Sequence, residues 1–385
     1  MMEKYICPRC GNSDQNYVGF LNGKPYCRKC ISFRGEDAPE FTSSNVLIKL
    51  QLNYSLSVEQ KRISERVIYN FKRGYDTLIN AVCGAGKTEL VYGVIEYALK
   101  RKLAVAFALP RRDVVIELFE RIKEAFPNNK IVSIYGGHTS QLSGDLVVLT
   151  THQLYRFENY FDLIILDEID AFPYQGSELL ETMFKRAKKG PVVMMSATPN
   201  EQILKYFHEP KREILELNFR FHMHPLPVPI FAIKFGLFKA MFVIEKLREY
   251  RKEKKPCFVF APTIEIAENL YNFLKRFVSG GNVVHSKREN RNEIIQNFKK
   301  KKYQYLVTTA VLERGVTVKN LQVIIFDADH DIYTSESLIQ ISGRVGRKYD
   351  APEGDVFFVS KKITEHMEKA RDTIATKNKY LQNMF

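Results

Sequence analysis

Short apolar runs alternate with amphipathic stretches over residues 53–206 of this chain. The apolar runs are rich in β-branched residues, as buried strands are, and they occupy residues 77–80, 104–108, 146–150, 163–166 and 192–196. The stretches between them, such as residues 114–125 and 177–188, place apolar side chains at helical spacing. This alternation predicts βαβ units, in which a mainly parallel sheet is covered by helices on both faces.

A proline-rich segment, residues 225–229, interrupts this rhythm. Proline fits neither a helix interior nor a central strand, so the segment indicates a passage between domains. Beyond it the alternation resumes, with strands expected at 258–261, 283–285, 305–308, 323–327 and 356–359 and helices near 238–251, 264–277, 289–300 and 363–385.

The fold class expected from this pattern is α/β, with two tandem parallel-sheet domains behind a small N-terminal module. A length of 385 residues agrees with two domains, because single cores stop growing near ~250–300 residues. The boundaries that we expect are 1–40 for the module, 41–210 for the first domain, 211–230 for a linker and 231–385 for the second domain.

The formal net charge of the chain is +14. This excess favours a polyanionic partner, either nucleic acid or an anionic membrane surface, although scattered solvated lysines would give the same total. The basic clusters at residues 251–255 and 299–302 fall where predicted helices end, where cations complement the helix dipole. No apolar run reaches the ~18 residues of a membrane span and no signal peptide is seen, so we expect a soluble cytoplasmic protein.

Residues 81–88 (Ala-Val-Cys-Gly-Ala-Gly-Lys-Thr) follow a predicted strand and open a predicted helix, residues 89–99. A glycine-rich turn in this position presents main-chain N–H groups to phosphate oxygens. The residues expected to bind ATP are Ala81, Cys83, Gly84, Ala85, Gly86, Lys87 and Thr88. Lys87 would reach the β- and γ-phosphates, and the Thr88 hydroxyl would bind Mg²⁺. The strict pattern has glycine where Ala81 stands, and an ordinary turn is the alternative interpretation.

Two acidic residues, Asp167 and Glu168, follow the apolar run 163–166. A carboxylate at the carboxyl end of a parallel strand faces the same crevice as the phosphate loop. We expect Asp167 to hold Mg²⁺ through water, and Glu168 to orient and deprotonate the attacking water.

Further motifs follow in a fixed order: Asp-Glu-Ile-Asp at 167–170, Ser-Ala-Thr at 196–198, Thr-Thr-Ala-Val-Leu-Glu-Arg-Gly at 308–315 and Gln-Ile-Ser-Gly-Arg-Val-Gly-Arg at 340–347. With the phosphate loop, they make residues 55–350 resemble the superfamily-2 helicases of DEAD/DEAH type. The resemblance implies two RecA-like domains with ATP hydrolysed in the cleft between them. The roles that it implies are γ-phosphate contact for Gln340, Arg344 and Arg347, ATP binding for Gly315, and coupling for Ser196, Ala197, Thr198 and Arg314.

Arg344 and Arg347 are three residues apart, so a helix would point both at one target. An arginine supplied by a second domain stabilises charge on the transferred phosphoryl group, so hydrolysis would require the domains to close. Surface salt bridges are the alternative, but they would leave Gly343 and Gly346 as unexplained helix-weakening residues.

Three positions leave the interpretation open. Ala310 and Thr317 stand where the RNA-remodelling branch of the superfamily carries aspartate, which disfavours an RNA helicase. Gln60, upstream of the phosphate loop, is either an adenine-reading glutamine or a plain surface residue.

The resemblance also places nucleic acid across both domains, on the face away from ATP. The contacts that it implies are Pro110, Arg111, Arg112, Thr151 and His152 in the first domain and Thr263, Ser286 and Thr309 in the second. Hydroxyls, main-chain amides and arginines suit phosphate contacts that carry no sequence information. For His152, a structural role is the alternative.

Four of the six cysteines form a C-x₂-C-x₁₆-C-x₂-C pattern of Cys7, Cys10, Cys27 and Cys30. This spacing is typical of a closed four-thiolate zinc site, with a redox pair as the alternative for one C-x-x-C. About 40 residues cannot form a sizeable core, so one structural Zn²⁺ is expected to fold this module, and zinc loss to unfold the module alone. Its basic and aromatic residues would contact a single strand or dock a partner protein.

A four-cysteine module ahead of a superfamily-2 motor resembles the late-competence ATPases of bacterial DNA uptake, the ComFA family. The resemblance implies a DNA-dependent ATPase, a helicase-type translocase that uses Mg²⁺ with ATP and handles single-stranded DNA at the cytoplasmic face of the uptake channel. It also implies competence proteins as partners, including a ComFC-like protein of the phosphoribosyltransferase fold, and a peripheral place at the inner face of the membrane. The alternatives are a zinc-ribbon adaptor with a gating ATPase, a PriA-like replication-restart helicase and a structured-RNA helicase.

Overall fold

The computed structural model describes residues 5–33, 35–52, 54–169, 177–312 and 316–382. The chain divides into two units, one of Met1–Ala81 with Gly86–Leu217 and the other of Val82–Ala85 with Asn218–Phe385. Each unit has its own parallel sheet, so the α/β architecture with two parallel-sheet domains is confirmed.

The first unit begins with a short antiparallel hairpin. Its strands are β1 (Val18–Leu21) and β2 (Lys24–Cys27), which follow a 3₁₀ turn at Gln15–Tyr17. Asn22 and Gly23 join the two strands, and both have a positive φ, 51° and 74°. This is the geometry of a type I′ turn, for which asparagine followed by glycine is the favoured pair.

A seven-stranded parallel sheet forms the body of the first unit. Its strands are β3 (Asp76–Ala81), β4 (Val105–Leu109), β5 (Ile131–Ile134), β6 (Leu146–Thr150), β7 (Leu163–Asp167), β8 (Val192–Ser196) and β9 (Arg212–Leu217). Its helices are α1 (Val58–Lys72), α2 (Lys87–Leu99), α3 (Arg112–Ala125), α4 (Glu178–Ala187) and α5 (Glu201–Phe207), with a 3₁₀ helix at Thr151–Arg156. The strand order is β5-β6-β4-β7-β8-β3-β9. The inner strands β4, β6 and β8 are buried along their whole length, as their apolar runs predict.

A six-stranded parallel sheet forms the body of the second unit. Its strands are β10 (Ile230–Ile233), β11 (Cys257–Phe260), β12 (Gly281–Val284), β13 (Tyr305–Thr308), β14 (Gln322–Phe326) and β15 (Val356–Ser360). Its helices are α6 (Leu237–Lys252), α7 (Ile264–Leu274), α8 (Arg291–Lys299), α9 (Ser335–Ser342) and α10 (Glu365–Gln382). The strand order is β10-β15-β14-β11-β13-β12.

Alternate residues of β11 show that the second sheet is covered on both faces. Cys257 and Val259 lie in one buried apolar cluster, whereas Phe258 and Phe260 lie in another. Because successive side chains of a strand point to opposite faces, each face of the sheet has its own core.

Three strands of the two parallel sheets, β5, β9 and β10, were not predicted from the apolar runs, and all three lie at the edge of a sheet. Strands β5 and β9 carry polar residues among their apolar ones, and β10 is only four residues long. Strand β9 pairs with β3 and lies within residues 211–230, which were expected to form the linker. The units divide after Leu217, inside the range predicted for the linker.

Candidate functional site

The glycine-rich loop lies where the sequence predicted it, after β3 and before α2. Gly84 and Gly86 have φ values of +83° and +79°, which residues other than glycine rarely adopt. Gly86 is the N-cap of α2, and Lys87 and Thr88, both half-buried, are its first residues. The first-turn N–H groups of a helix have no intrahelical acceptor, so this arrangement can bind phosphate.

Gln60 lies against this loop and is buried, so it is not a plain surface residue. Its Oε1 accepts a hydrogen bond of 2.9 Å from the main-chain N–H of Ser57, and the Ser57 Oγ accepts one of 3.3 Å from the Gln60 N–H. This capping box begins α1. The Gln60 Nε2 lies only 2.6 Å from where a Cβ at Gly86 would be, so any side chain at position 86 would collide with it.

Asp167 ends β7, and Glu168 follows it with a φ of +54°. The Asp167 Oδ1 accepts a hydrogen bond of 2.8 Å from the Glu168 main-chain N–H. Strands β7, β8 and β3 are consecutive in the sheet, so their carboxyl ends lie at one edge. The structure therefore brings Asp167 and Glu168 to the same edge as the phosphate loop. Asp170, the last residue of this motif, is outside the described residues.

The Ser-Ala-Thr motif begins at Ser196, the last residue of β8, and β8 lies between β7, which ends at Asp167, and β3, which leads into the loop. Ser196 is fully buried, and its Oγ accepts a hydrogen bond of 3.0 Å from the Thr198 N–H. Ala197 is also buried. Ser196 pairs in register with Asn80 of β3, so it is adjacent to the strand that leads into the loop.

The other half of this sheet edge carries the residues predicted to contact nucleic acid. Pro110, Arg111 and Arg112 follow β4, and Thr151 and His152 follow the neighbouring strand β6. Arg112 is exposed and its guanidinium lies 4.9 Å from the centre of the Tyr135 ring.

Three of those candidates are less accessible. Pro110 and Thr151 are buried, and the Thr151 hydroxyl has no hydrogen-bond partner among the described residues. His152 stacks on the ring of Phe33, with the ring centres 6.0 Å apart. Burial lowers the pKa of His152 below its usual value of 6.5, so the imidazole is neutral at pH 7. This packing is that of a structural histidine, the alternative that the sequence left open.

The four cysteines converge, and their sulfur atoms all lie within 4.8 Å of one another. The Sγ atoms of Cys7 and Cys30 are 3.6 Å apart, and those of Cys10 and Cys27 are 3.7 Å apart. Four sulfurs bound to Zn²⁺ at ~2.3 Å in a tetrahedron would be about 3.8 Å from each other. All four side chains are buried, so the donor set fits a closed structural zinc site.

Three of these thiols have shifted pKa values. Burial raises the pKa of Cys10 to about 11 and also raises that of Cys30. Burial acts in the same direction on Cys7, but hydrogen bonds from main-chain N–H groups outweigh it and lower the pKa of Cys7 to about 7. Zinc binds the thiolates, so its affinity for this cluster would rise with pH.

The cysteine module packs directly on the first unit's sheet domain. Its four cysteines share one buried cluster with Tyr155, Leu180 and Met183. Arg156 donates a hydrogen bond of 2.6 Å to the main-chain oxygen of Glu36. The module therefore shares a core with α4 and with the 3₁₀ helix Thr151–Arg156.

The second unit holds Gln340 on α9, where it is buried. Arg344 and Arg347 do not share a helix, because α9 ends at Ser342, so the expected helical spacing is wrong. A Cβ at Gly343 would lie 2.5 Å from the Cys83 Cβ, and Gly346 adopts a φ of +68°, which explains why glycines occupy both positions. The two arginines lie in the turn that follows the helix.

Both arginines are anchored to main-chain oxygens. Arg344 is buried and its Nη1 donates a hydrogen bond of 2.8 Å to the oxygen of Val316. The Nε of Arg347 donates one of 2.8 Å to the oxygen of Gly343. Arg314 and Gly315 are outside the described residues.

The second unit's candidates for nucleic-acid contact follow three consecutive strands, β11, β13 and β12. Thr263 is the N-cap of α7, and its Oγ1 accepts a hydrogen bond of 3.2 Å from the Ile266 N–H. Ser286 is exposed, and Thr309 is half-buried. The carboxyl ends of adjacent parallel strands share an edge, so the structure brings these three residues together.

The motifs did not predict a role for Arg220. This arginine is fully buried and donates hydrogen bonds to main-chain oxygens of the turn 343–346. The only sequence signal is a lone cation between Phe219 and Phe221 in a segment expected to be a linker.

Comparison with known proteins settles the family. The model described as "DEAD/DEAH box helicase" matches residues 61–206, and the one described as "Helicase conserved C-terminal domain" matches residues 239–349. The competence protein ComFA of Bacillus subtilis is 34% identical, over 97% of this chain and 86% of that protein. The competence protein ComFA of Streptococcus pneumoniae is 33% identical, over 98% of this chain and 91% of that protein. The chain belongs to the ComFA family.

Solved helicases share the fold. Dbp5 of S. cerevisiae, bound to RNA and ADP BeF3, has a TM-score of 0.62 at 17% identity, over 84% of this chain and 92% of that one. RecG bound to a three-way DNA junction has a TM-score of 0.62 at 19% identity, over 87% of this chain and 49% of that one. These likenesses confirm two RecA-like domains.

Membership of the ComFA family, together with the two helicase domains, confirms the ATP-hydrolysing, helicase-type activity expected from the sequence. This ComFA-family chain is a superfamily-2, helicase-type enzyme of competence that hydrolyses ATP.

Proposed function

We propose that this enzyme is an ATP-driven motor that pulls single-stranded DNA into the cell during competence. The observation that supports it most is the division of one sheet edge in the first unit. Candidate ATP residues follow β3, β8 and β7, and candidate nucleic-acid residues follow β4 and β6. Strands β7 and β4 are hydrogen-bonded neighbours, so the two halves of the edge are adjacent.

Each acidic and phosphate-loop residue has a proposed task. The loop's N–H groups and Lys87 bind the phosphates, and Glu168 orients the attacking water and accepts its proton. Thr88 and Asp167 would hold Mg²⁺, which neutralises phosphate charge when it is bound with ATP. Gln60, at the loop, is proposed to read adenine as well as to cap α1.

The turn after α9 supplies the positive charge. Arg344 and Arg347 are proposed to stabilise the charge that develops on the γ-phosphate, with Gln340 beside it. Gly315 is proposed to contact ATP. The residues proposed to couple hydrolysis to DNA are Ser196, Ala197, Thr198 and Arg314.

Phosphate contacts without sequence readout suit a motor that must move along any DNA. In the first unit, exposed Arg112 and half-buried Arg111 are the strongest candidates. In the second unit, the candidates are Thr263, Ser286 and Thr309. The net charge of +14 supports a polyanionic track.

The cysteine module is proposed to hold one structural Zn²⁺ through Cys7, Cys10, Cys27 and Cys30. Among the described residues, no helix is long and apolar enough to cross a bilayer. We place the protein at the inner face of the cell membrane, with other competence proteins, including a phosphoribosyltransferase-fold partner, as its neighbours.

ATPase measurements test the motor. The rate of the purified protein is measured with single-stranded DNA, duplex DNA and RNA at equal nucleotide concentration. We expect single-stranded DNA to raise the rate most. Lys87→Ala should lower the stimulated rate at least about 100-fold, because it removes a charge at the transferred phosphate. Lys100→Ala is the matched control, since Lys100 is exposed at the far end of α2.

Movement is measured separately, by the displacement of streptavidin from the end of a biotinylated single strand. A motor displaces it in an ATP-dependent manner, whereas an adaptor with a gating ATPase leaves it in place. Equal stimulation by RNA would favour an RNA helicase, and no stimulation by single-stranded DNA would contradict the proposal.

A further inference from the structure

Arg220 is a buried cation near the start of the long segment of the second unit, Asn218–Phe385. Its side chain is fully buried, and no carboxylate pairs with it in the part of the chain that the structure describes. Burial, and then the nearby Arg347, lower the pKa of Arg220 to about 10, so the guanidinium keeps its charge at pH 7. A buried charge is costly unless every donor finds an acceptor.

The acceptors are main-chain oxygens, and three of the four belong to one turn. Nη1 donates to the oxygens of Val345 and Gly346, each at 2.7 Å, and Nη2 donates to that of Gly343 at 3.2 Å. Nε donates to the oxygen of Cys83, at 3.0 Å. Charge-assisted bonds to neutral oxygens are stronger than ordinary ones, and the planar fork fixes their directions.

His222 adds a second bond to the same turn. Its Nδ1 accepts a hydrogen bond of 3.2 Å from the His224 N–H, so the proton is on Nε2, which donates to the Gly346 oxygen at 2.9 Å. Gly346 has no room for a side chain, because a Cβ there would lie 2.1 Å from the Pro352 oxygen. Gly346 is therefore held by the hydrogen bonds of Arg220 and His222 to its oxygen and by close packing against Pro352.

This turn carries Arg344 and Arg347. The Gly343 oxygen accepts from Arg220 and also from the Nε of Arg347, at 2.8 Å, so one oxygen joins the two guanidinium groups. We propose that Arg220 and His222 are positioning residues, which hold the turn so that Arg344 and Arg347 are aligned for the γ-phosphate. The proposal rests on the function proposed above for those two arginines. Preorganised charges stabilise a transition state best, and small misplacements are costly.

The test compares two arginines that both donate to main-chain oxygens, Arg220, which is fully buried, and Arg186, which is half-buried and also pairs with Glu158. Arg220→Lys keeps the positive charge but loses the planar guanidinium group that donates in several fixed directions. Arg186→Lys is the matched control, since Arg186 donates to the oxygens of Tyr155 and Phe157, at 2.8 and 3.3 Å, in the first unit. Basal ATPase, without DNA, is measured at 25 °C for both variants, with thermal unfolding alongside.

We expect Arg220→Lys to lower kcat about 10- to 100-fold with the KM for ATP changed less than about threefold. Arg220→Gln should lose at least as much kcat, and Arg186→Lys should stay within about twofold of wild type. Equal kcat in the Arg220→Lys and Arg186→Lys proteins at matched unfolding temperatures would overturn the proposal, because Arg220 would then be structural only.

His222→Phe decides the question if the Arg220 variants fail to fold. It keeps an aromatic ring but loses the donor to Gly346, so kcat should fall severalfold, and an unchanged kcat overturns the proposal. If Arg344→Ala and Arg347→Ala keep full basal kcat, the role proposed for those arginines at the γ-phosphate is contradicted. The positioning role proposed for Arg220 and His222 is then contradicted as well. If single-stranded DNA does not stimulate the wild type, only the motor fails, because the positioning test uses basal ATPase.

Discussion

Glu168 combines a candidate catalytic carboxylate with a strained backbone. Its φ of +54° lies in the left-handed region, where a residue with a side chain costs roughly 1–3 kcal/mol. Its main-chain N–H donates to the Asp167 Oδ1, at 2.8 Å. The carboxylate proposed for Mg²⁺ therefore also fixes the backbone from which the proposed base projects.

Different substitutions of Glu168 distinguish the loss of the proposed catalytic base from the relief of backbone strain. Glu168→Gln keeps the size of the side chain but removes the base, so kcat should fall about 10²–10⁴-fold while ATP still binds. Glu168→Gly should be equally inactive yet about 1 kcal/mol more stable than Glu168→Ala, because glycine tolerates a positive φ. Kinetics and urea unfolding measure the two effects. Equal stability of the glycine and alanine variants would show that the backbone at Glu168 is not strained.

His222 gives the protein a pH dependence with a definite sign. Burial lowers the pKa of His222 below 6.5 despite the hydrogen bond to Gly346, and the charges of Arg220 and His224 lower it further. Below pH ~6.5 the unfolded chain therefore binds more protons at this residue than the folded chain does. The free energy of unfolding should be unaffected by His222 above that pH and should fall as the pH drops below it.

Urea unfolding at pH 7.5 and pH 5.5 measures this contribution. His222→Phe should reduce the difference in stability between the two pH values, because the variant has no group to titrate there. A pH dependence identical to that of wild type would contradict the assignment.

The motif residues could be predicted from the sequence, because residue types at fixed spacing after apolar runs identify the loop, the acids and the cysteines. Arg220 could not. Its partners are main-chain oxygens of the turn 343–346, which are distant in sequence, and such oxygens leave no mark in the residue pattern. The stacking of His152, in the 3₁₀ helix Thr151–Arg156, on the ring of Phe33 could not be predicted from the sequence either.

At the scale of elements, burial on both faces decided which strands could be predicted. Strands β6, β8 and β13 begin and end where their apolar runs do. The edge strand β9 has polar residues at Arg212, Glu213 and Glu216, and β5 is only four residues long with Ser133 inside it, so neither gives a continuous apolar run. Helix α9 ends at Ser342, before the two arginines that were expected to share a helix, and the left-handed Gly346 turns the chain away from the helix axis.

The shared core of the cysteine module changes what zinc loss should do. The sequence indicated that metal removal would unfold the first 40 residues alone. Because the cysteines pack with Tyr155, Leu180 and Met183, we now expect chelation also to loosen α4 and the 3₁₀ helix Thr151–Arg156. Hydrogen exchange with and without a chelator measures this directly.

Strand β14 of the second unit is the internal control for that experiment, and its protection should not change. Loss of protection confined to residues 5–33 would show that the shared core contributes little to α4. In that case the original expectation of an independent module would hold.

At the scale of the whole molecule, the groups proposed for catalysis are divided between the two units. Lys87, Asp167 and Glu168 belong to the first unit, and Arg344 and Arg347 belong to the second. The order of the motifs along the chain predicted both sets, since each follows or precedes a recognisable strand or helix.

The net charge of +14 invites a test of which cations contact DNA. Arg112 follows β4 and Arg101 precedes it, so the two lie at opposite edges of the sheet. Each is exposed and lies over a tyrosine ring, Tyr135 at 4.9 Å for Arg112 and Tyr97 at 3.6 Å for Arg101. They form a matched pair for one measurement.

We expect Arg112→Ala to weaken binding of single-stranded DNA and to reduce the slope of log K against log salt by about 0.7, because one phosphate contact is lost. Arg101→Ala should leave the slope unchanged. Equal slopes in the two variants would indicate that the carboxyl edge of the sheet is not the DNA-binding edge.

The alternation of β11 between two cores also limits how members of this family can differ in length. One inserted residue within β11 would send Val259 to the face now filled by Phe258, and every later side chain would change faces as well. The other inner strands are buried on both faces and face the same constraint. Insertions and deletions among relatives should therefore fall in the connections between elements and beside edge strands such as β9, while the inner strands keep their number of residues.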